Sequence, residues 1–394
     1  MSSIDATAPA AARWTIGATP DHRLRVGIVG CGDVAHRRYL PALAGLADQV
    51  EIVGCCDVNP LAAARAAGSV RAWSPAVAST GDLDALLTDV RPDAIFNLTP
   101  APRHAPVTRA ALEADAHVFS EKPIADSIAE ADALIALATT RRLLLLCAPA
   151  SAISRRVRWL REIAVSERLG RLTLAVAHHA DPGPAAWREY TGDPTVFYQP
   201  PVGPLVDHGI YRLHELTSLM GSVTRVQAMG SIGNPARVVR GGPRSGSTIA
   251  VTTPDHVLLN LEFVGGALGQ VLASFGTPST RAPWLELHFT QGTISFPPGS
   301  QYDPNGRAGV YLDDDGPLGL EGWVDDIGPP PPRQELDLVE SGAAHFVAVL
   351  RGEEPPVLSA EHARHVLDIM LRAYESIDDG RSHELTTTMD AGEA

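Results

Sequence analysis

The sequence predicts an α/β protein in two parts: an N-terminal doubly wound parallel sheet and a C-terminal α+β domain with a large open, mostly antiparallel sheet. Three observations carry this. From residue 24 apolar β-branched runs alternate with helical spacing, a glycine-rich turn closes the first run, and from about residue 172 the rhythm changes to successive period-two strands. At 394 residues the chain exceeds the size at which one core keeps growing, so two domains are expected.

Residues 1–22 are rich in Ala, Ser, Thr and Pro without periodicity and read as a flexible tail. LRVGIVG (24–30) is the first strand, and AHRRYLPALAGLADQ follows with helical spacing. EIVGCCDV (51–58), AIFNLT (94–99), HVFSEKP (117–123) and RLLLLCAP (142–149) repeat the strand pattern, with helices over NPLAAARAAG, HAPVTRAALEAD and IAEADALIALATTR. Right-handed crossovers make 23–148 a doubly wound domain, which the glycine-rich turn marks as dinucleotide-binding. In 149–394, the strand candidates are RLTLAVAHHA, RVQAMGSI, STIAVTT, HVLLNLEFV, LGQVLASF, LELHFT and GTISF. One face of that sheet is left for helices or another subunit. The Pro/Gly-rich tract 181–204 reads as an active-site cover because it carries Trp187, Phe197 and Tyr198, whereas 313–333 reads as either cover or connector. A C-terminal helix is expected over 359–380, with Ser359 as N-cap and Gly380 as C-cap.

A formal charge of -14 with 32 scattered Lys and Arg offers no basic surface, which argues against nucleic acid. No apolar run is long enough to span a bilayer, and the N-terminus has no signal-peptide pattern. Cys31, Cys55, Cys56 and Cys147 form no CxxC pair, which fits a reducing cytoplasm. The histidines and acids show no HExxH-like spacing, so no metal site is expected, and no GxSxG nucleophile turn is present.

GIVGCGDVA gives G-x-G-x-x-A at Gly30, Gly32 and Ala35: a tight turn, a close backbone approach to a pyrophosphate, and close packing of helix on strand. Amides over Gly30, Cys31, Gly32, Asp33 and Val34 face the phosphates at the helix start. Asp57 ends the next strand, where a carboxylate meets ribose hydroxyls and repels the extra phosphate of NADP, so NAD is expected; capping of the following helix is its alternative.

GIVGCGDVAHRRYLPAL, CCDVNP, LTPAPRHAPVTRAALEADAHVFSEKPIA and VGPLVDHGIYRLHEL (202–216) together resemble the Gfo/Idh/MocA oxidoreductases, from about residue 24 to about 385. The resemblance implies a Rossmann domain followed by an open-sheet domain, NAD or NADP, and a sugar, cyclitol or sugar derivative oxidised at a secondary alcohol. It also implies a homo-oligomer, a dimer or tetramer, built through the exposed sheet face. Thr99, Pro100 and His104 match the loop along the cofactor, and Glu121, Lys122 and Pro123 match the EKP signature, whose lysine reaches the reacting hydroxyl. Asp207 and Tyr211 match the family's D-x-x-x-H arrangement, with Tyr211 in the place of histidine. Glucose-fructose oxidoreductase and certain sugar ketoreductases share that tyrosine.

A free phenol titrates near pH ~10, and a neighbouring ammonium favours its phenolate. Tyr211 is therefore the expected proton donor and acceptor, Lys122 its electrostatic partner and Asp207 the orienting group, with His208 a substrate contact or a structural residue. On a regular helix, positions 207, 211 and 214 share a stripe that His208 leaves. His214 reads as packed, and at most one of His178 and His179 faces a pocket. The structural alternatives are a surface role for Lys122, a cap for Asp207 and a core aromatic for Tyr211. The expected activity is an NAD-dependent dehydrogenase or ketoreductase; the alternatives are a lyase or glycosidase that uses tightly bound NAD transiently, and a non-catalytic NAD-binding protein.

Overall fold

The computed structural model describes residues 23–299, 306–313, 321–329 and 337–389; the expected tail 1–22 lies outside them. The described residues divide into two compact units, one within 1–150 and 338–363, the other within 151–337 and 364–394.

In the first unit six strands, β1 (Leu24–Val29), β2 (Val50–Cys56), β3 (Ala78–Thr80), β4 (Ala94–Asn97), β5 (His117–Ser120) and β6 (Leu145–Cys147), pair in the order β3-β2-β1-β4-β5-β6. Every pair is parallel. The order reverses between β1 and β4, which opens a crevice beyond their carboxyl ends. Between strands the helices begin where the sequence supplies caps. Asn59 accepts from the Leu61 amide ahead of Pro60–Val70. Ser127 accepts from the Glu130 amide ahead of Ile128–Arg141, the S-x-x-E pattern of a capping box. The three-residue edge strand β3 had no visible run in the sequence.

The return of residues 338–363 to this unit departs from a division at residue 148. Helix Leu338–Leu350 packs on Leu40–Ala44. Its Phe346 meets Phe96 edge-on at 5.4 Å and Phe119 at 5.7 Å. A helical stripe announces that one face is buried, not against which core.

The second unit is built on a nine-stranded sheet of β7 (Leu172–Ala180), β8 (Val223–Ser231), β11 (His256–Phe263), β12 (Leu268–Ser274), β13 (Leu285–Phe289), β14 (Gly292–Phe296), β15 (Ala308–Leu312), β16 (Gly322–Ile327) and β17 (His383–Glu384). Its order is β16-β15-β14-β13-β7-β12-β11-β8-β17, and all pairs are antiparallel except β7 with β12. Among the described residues STIAVTT does not join this sheet: Thr248–Ala250 (β10) pairs with Ala236–Val238 (β9). Gly322–Ile327, inside the tract that read as cover or connector, is the edge strand β16; parts of that tract lie outside the described residues. Alternation leaves Arg225, Gln227 and Met229 of β8 and Leu258 and Asn260 of β11 exposed on one face.

The tract 181–204 is pinned down. Tyr198 is fully buried with Phe275, Ile249 and Val251, and its hydroxyl accepts from the Ala185 amide at 3.0 Å. In helix Ile210–Met220, Arg212 and Glu215 form a buried pair at 2.7 Å, and the Arg212 guanidinium lies 4.4 Å from the centre of the Trp284 ring. Burial raises the Glu215 pKa against the pull of Arg212 and Arg156. The C-terminal helix runs Ala360–Asp379; Ser359 accepts from the His362 amide, and Gly380 closes it at φ +73°.

Candidate functional site

The glycine turn sits at the carboxyl end of β1, beside the β1/β4 crevice. Gly30 has φ +91°, and a Cβ there would stand 2.6 Å from the carbonyl of Leu98. Only glycine fits. At Gly32 a Cβ would meet nothing within 4 Å, and the residue is exposed. Its freedom is not needed for protein packing, and the open space beside it suits a ligand backbone or phosphate. Ala35 is fully buried, as the fingerprint requires for helix against strand. The turn enters a π-helical segment, Ala35–Tyr39, and then Leu40–Ala44, where a continuous helix was expected.

Asp57 stands half-buried just past β2. One carboxylate oxygen accepts from the Cys31 amide at 2.7 Å and the other from the Asn59 amide at 2.8 Å. The helix cap that competed with the ribose reading is Asn59, one turn start further on. A carboxylate offers about four acceptor positions, so Asp57 has capacity for ribose hydroxyls. Arg37 pairs with Asp33 at 2.7 Å.

The loop after β4 is braced by Asn97, a residue that sequence reasoning missed. Its carbonyl oxygen accepts from the Thr99 hydroxyl at 2.6 Å, and its amide donates to the His104 carbonyl and the Thr108 hydroxyl. Pro100 is exposed at the turn. His104 is buried, its Nε2 2.7 Å from the Thr99 carbonyl and its Nδ1 2.6 Å from that of Pro123. Burial lowers its pKa in spite of those carbonyls. Its ring therefore links the β4 loop to the EKP loop. Glu121 accepts from the Tyr39 hydroxyl at 2.6 Å and from the Lys122 amide at 3.1 Å, which ties the EKP loop to the helix after the glycine turn. Lys122 itself is half-buried beyond β5. Asn97 and Tyr39 gave no sequence signal, because one reads as a strand end and the other as a helix core aromatic.

In the second unit Asp207 and His208 lie on a π turn, Leu205–Gly209, that precedes helix Ile210–Met220. Asp207 and Tyr211 are half-buried with three buried residues between them, the pattern of a shared face. His208 is buried: its ring stacks on His179 at 4.0 Å and on Trp187 at 5.8 Å, with Phe275 edge-on at 5.0 Å. The Tyr211 ring is 6.2 Å from that of His179. His214 is buried in the helix, and His178 faces away from its neighbour on β7, with its pKa lowered by burial. His179, Asp181, Trp187 and Phe275 were not among the expected site residues; Trp187 had drawn notice in the cover tract, and His179 as one of two strand histidines of which at most one faces a pocket.

A doubly wound sheet with a φ-positive glycine turn at its switch point and an acid ending the second strand defines a dinucleotide-dependent oxidoreductase architecture. The comparisons with known proteins agree. Residues 24–148 match the "Oxidoreductase family, NAD-binding Rossmann fold" model and residues 157–295 the Gfo/Idh/MocA C-terminal domain. The chain belongs to the Gfo/Idh/MocA family of oxidoreductases. It is 29% identical over 301 residues to dTDP-3,4-didehydro-2,6-dideoxy-alpha-D-glucose 3-reductase of Streptomyces antibioticus, which spans 72% of this chain and 86% of that protein. It is 32% identical to UDP-N-acetylglucosamine 3-dehydrogenase of Acidithiobacillus ferrooxidans over 35% of this chain and 41% of that protein. Among solved structures, the WlbA dehydrogenase of Chromobacterium violaceum, in complex with NADH and UDP-GlcNAcA, shares the fold at a TM-score of 0.71 and 18% identity, over 94% of this chain and 98% of that one.

Proposed function

We propose that this enzyme transfers hydride between NAD and a secondary alcohol or ketone carbon of a sugar, a cyclitol or a sugar derivative, with nucleotide-linked sugars the first class to test. The nicotinamide ring, when bound, supplies the hydride acceptor or donor. The chain's residues do the rest. The turn over Gly30, Cys31, Gly32, Asp33 and Val34 receives the pyrophosphate, through the amides of Gly32, Asp33 and Val34 because those of Gly30 and Cys31 donate to the Cys56 carbonyl and to Asp57. Asp57 accepts from the adenosine ribose. Thr99, Pro100, Glu121 and Lys122 line the cofactor, with His104 holding two of their loops together. At the reacting carbon Tyr211 exchanges the hydroxyl proton through its phenol oxygen, Lys122 favours the phenolate, and Asp207 orients the lysine or a sugar hydroxyl. His208 supports the substrate side.

The observation that carries this reading is the Gly30 turn with Asp57 bonded to the Cys31 amide, a preformed anion-and-ribose cradle. Asp57 favours NAD over NADP by charge. The half-exposed face of the nine-stranded sheet supports homo-oligomerisation, and four free buried cysteines support residence in a reducing cytoplasm. Among the described residues no helix is long and apolar enough to cross a membrane.

The test is NADH formation or consumption by the purified chain across sugars, polyols and sugar nucleotides. Lys122→Ala and Tyr211→Phe should each lower turnover by about 100-fold or more, with NAD affinity kept in Tyr211→Phe and weakened in Lys122→Ala, which also lines the cofactor. Unchanged turnover in both variants removes the assigned roles.

A further inference from the structure

His179, Asp181 and His208 each offer one ligand atom within 4.8 Å of the other two. His179 lies near the end of β7, Asp181 follows that strand, and His208 comes from the π turn 27 positions after Asp181, a spacing no linear motif reveals. We propose that these three side chains form a binding site for one borderline divalent cation, Zn²⁺ foremost, with Asp207 as the outer carboxylate that orients His208.

Two imidazoles and one carboxylate are the donor set that zinc and its first-row neighbours favour, and that magnesium and calcium do not. The orientation of His208 is the second line of support. Its Nδ1 is 3.8 Å from a carboxylate oxygen of Asp181, and its Nε2 is 3.4 Å from one of Asp207. A metal-ligating histidine usually has its other ring nitrogen held by a carboxylate, which fixes tautomer and ring plane. Asp207 stands 3.4 Å from that nitrogen, not hydrogen-bonded to it, and is the carboxylate placed to take that part.

Electrostatics point the same way. Asp181 and Asp207 bring two negative charges against two imidazoles that are each 5% exposed. A divalent cation is attracted by both carboxylates. The two rings lie face to face at 4.0 Å, 16° from parallel. Trp187 stacks near His208 and Phe275 meets it at right angles, which limits water around the ring.

The stack also says what binding must change. Two ligands about 2.1 Å from one tetrahedral ion stand roughly 3.4 Å apart, closer than the widest spacing here. The rings therefore splay from parallel as the donor atoms converge. Three protein ligands leave one position for water or a ligand oxygen.

The experiment is calorimetric titration of tag-free, chelator-stripped full-length protein with Zn²⁺, without cofactor or sugar. One site per chain is expected, with affinity reduced at least about 100-fold in both His179→Gln and Asp181→Asn and unchanged in His178→Gln. Circular dichroism and NAD binding confirm that each variant is folded. Co²⁺ in place of Zn²⁺ should give visible d–d bands that His179→Gln abolishes, while Mg²⁺ should not compete. Absence of Zn²⁺ binding, or binding that survives both ligand substitutions, overturns the site. Hydride transfer by the chelator-stripped protein is scored separately, so either conclusion can fail alone.

Discussion

The Cys31 amide donates to the Asp57 carboxylate at 2.7 Å, so the glycine turn and the end of β2 are locked to each other by one charged hydrogen bond. Asp57 thus shapes the turn in addition to the ribose role proposed for it. A hydrogen bond to a charged group contributes about 1.5–3 kcal/mol, and each 1.4 kcal/mol is about tenfold in affinity. Asp57→Ala should weaken NAD binding by roughly 10- to 100-fold and narrow the gap between NAD and NADP. Titration with both dinucleotides measures this, and an unchanged preference would contradict it.

Gly30 and Gly32 should separate stability from binding. At Gly30 a methyl group collides with the Leu98 carbonyl at φ +91°, so Gly30→Ala should cost more than the roughly 1–2 kcal/mol of left-handed strain alone. At Gly32 nothing lies within 4 Å. Gly32→Ala should leave the melting temperature nearly unchanged yet reduce NAD affinity at least tenfold. Thermal unfolding beside a binding titration decides it; a large loss of stability from the second variant would show that Gly32 serves packing instead.

Acid should destabilise the protein through two buried histidines. His117 accepts from the Leu144 amide through Nδ1, and burial lowers its pKa from 6.5 to about 4. His365 accepts from the Val223 amide, and burial lowers its pKa likewise to about 4. The unfolded chain then binds more protons than the folded one as pH drops below about 6.5. Stability contributed by each neutral ring is present above that pH and lost as pH falls toward 4, by about 3 kcal/mol per residue on 1.36 kcal/mol per pH unit. Urea unfolding at pH 7 and pH 4.5 should show a smaller difference in His117→Gln and His365→Gln than in the unaltered chain.

The Arg212–Glu215 pair predicts an asymmetry. Removing one buried partner leaves the other charge uncompensated, at about 3–5 kcal/mol, whereas replacing both with apolar residues of similar volume is far milder. Glu215→Leu should destabilise strongly and Arg212→Met with Glu215→Leu much less. Denaturant midpoints of the two variants settle it, and equal losses would mean that Arg156 and Trp284 carry the site.

The Rossmann half was open to sequence reasoning because its signals are local. GIVGCGDVA, the acid at 57 and the alternation of strand and helix each act over fewer than 30 residues, and β1, β2, β4 and β5 fall where they were expected. Ser359 and Gly380 bounded the last helix for the same reason. What stayed hidden depends on tertiary pairing. Asp181 reaches His208 only because of where β7 and the π turn come together, and Asn97 acquires its bracing role only once the β4 loop folds back on it. Short strands such as β3 and β9 lack enough residues to show a period. Helix Leu338–Leu350 has the right stripe but carries no mark of which core will receive it.

The π turn at Leu205–Gly209 carries one residue more than an α turn would hold. That surplus sets the phase between Asp207 and everything downstream. Deleting a single residue within the turn would restore regular winding and swing the carboxylate about 100° around the axis relative to the phenol at 211. A one-codon deletion there should thus erase turnover while sparing dinucleotide capture, a frame error in three dimensions with composition and charge left nearly intact.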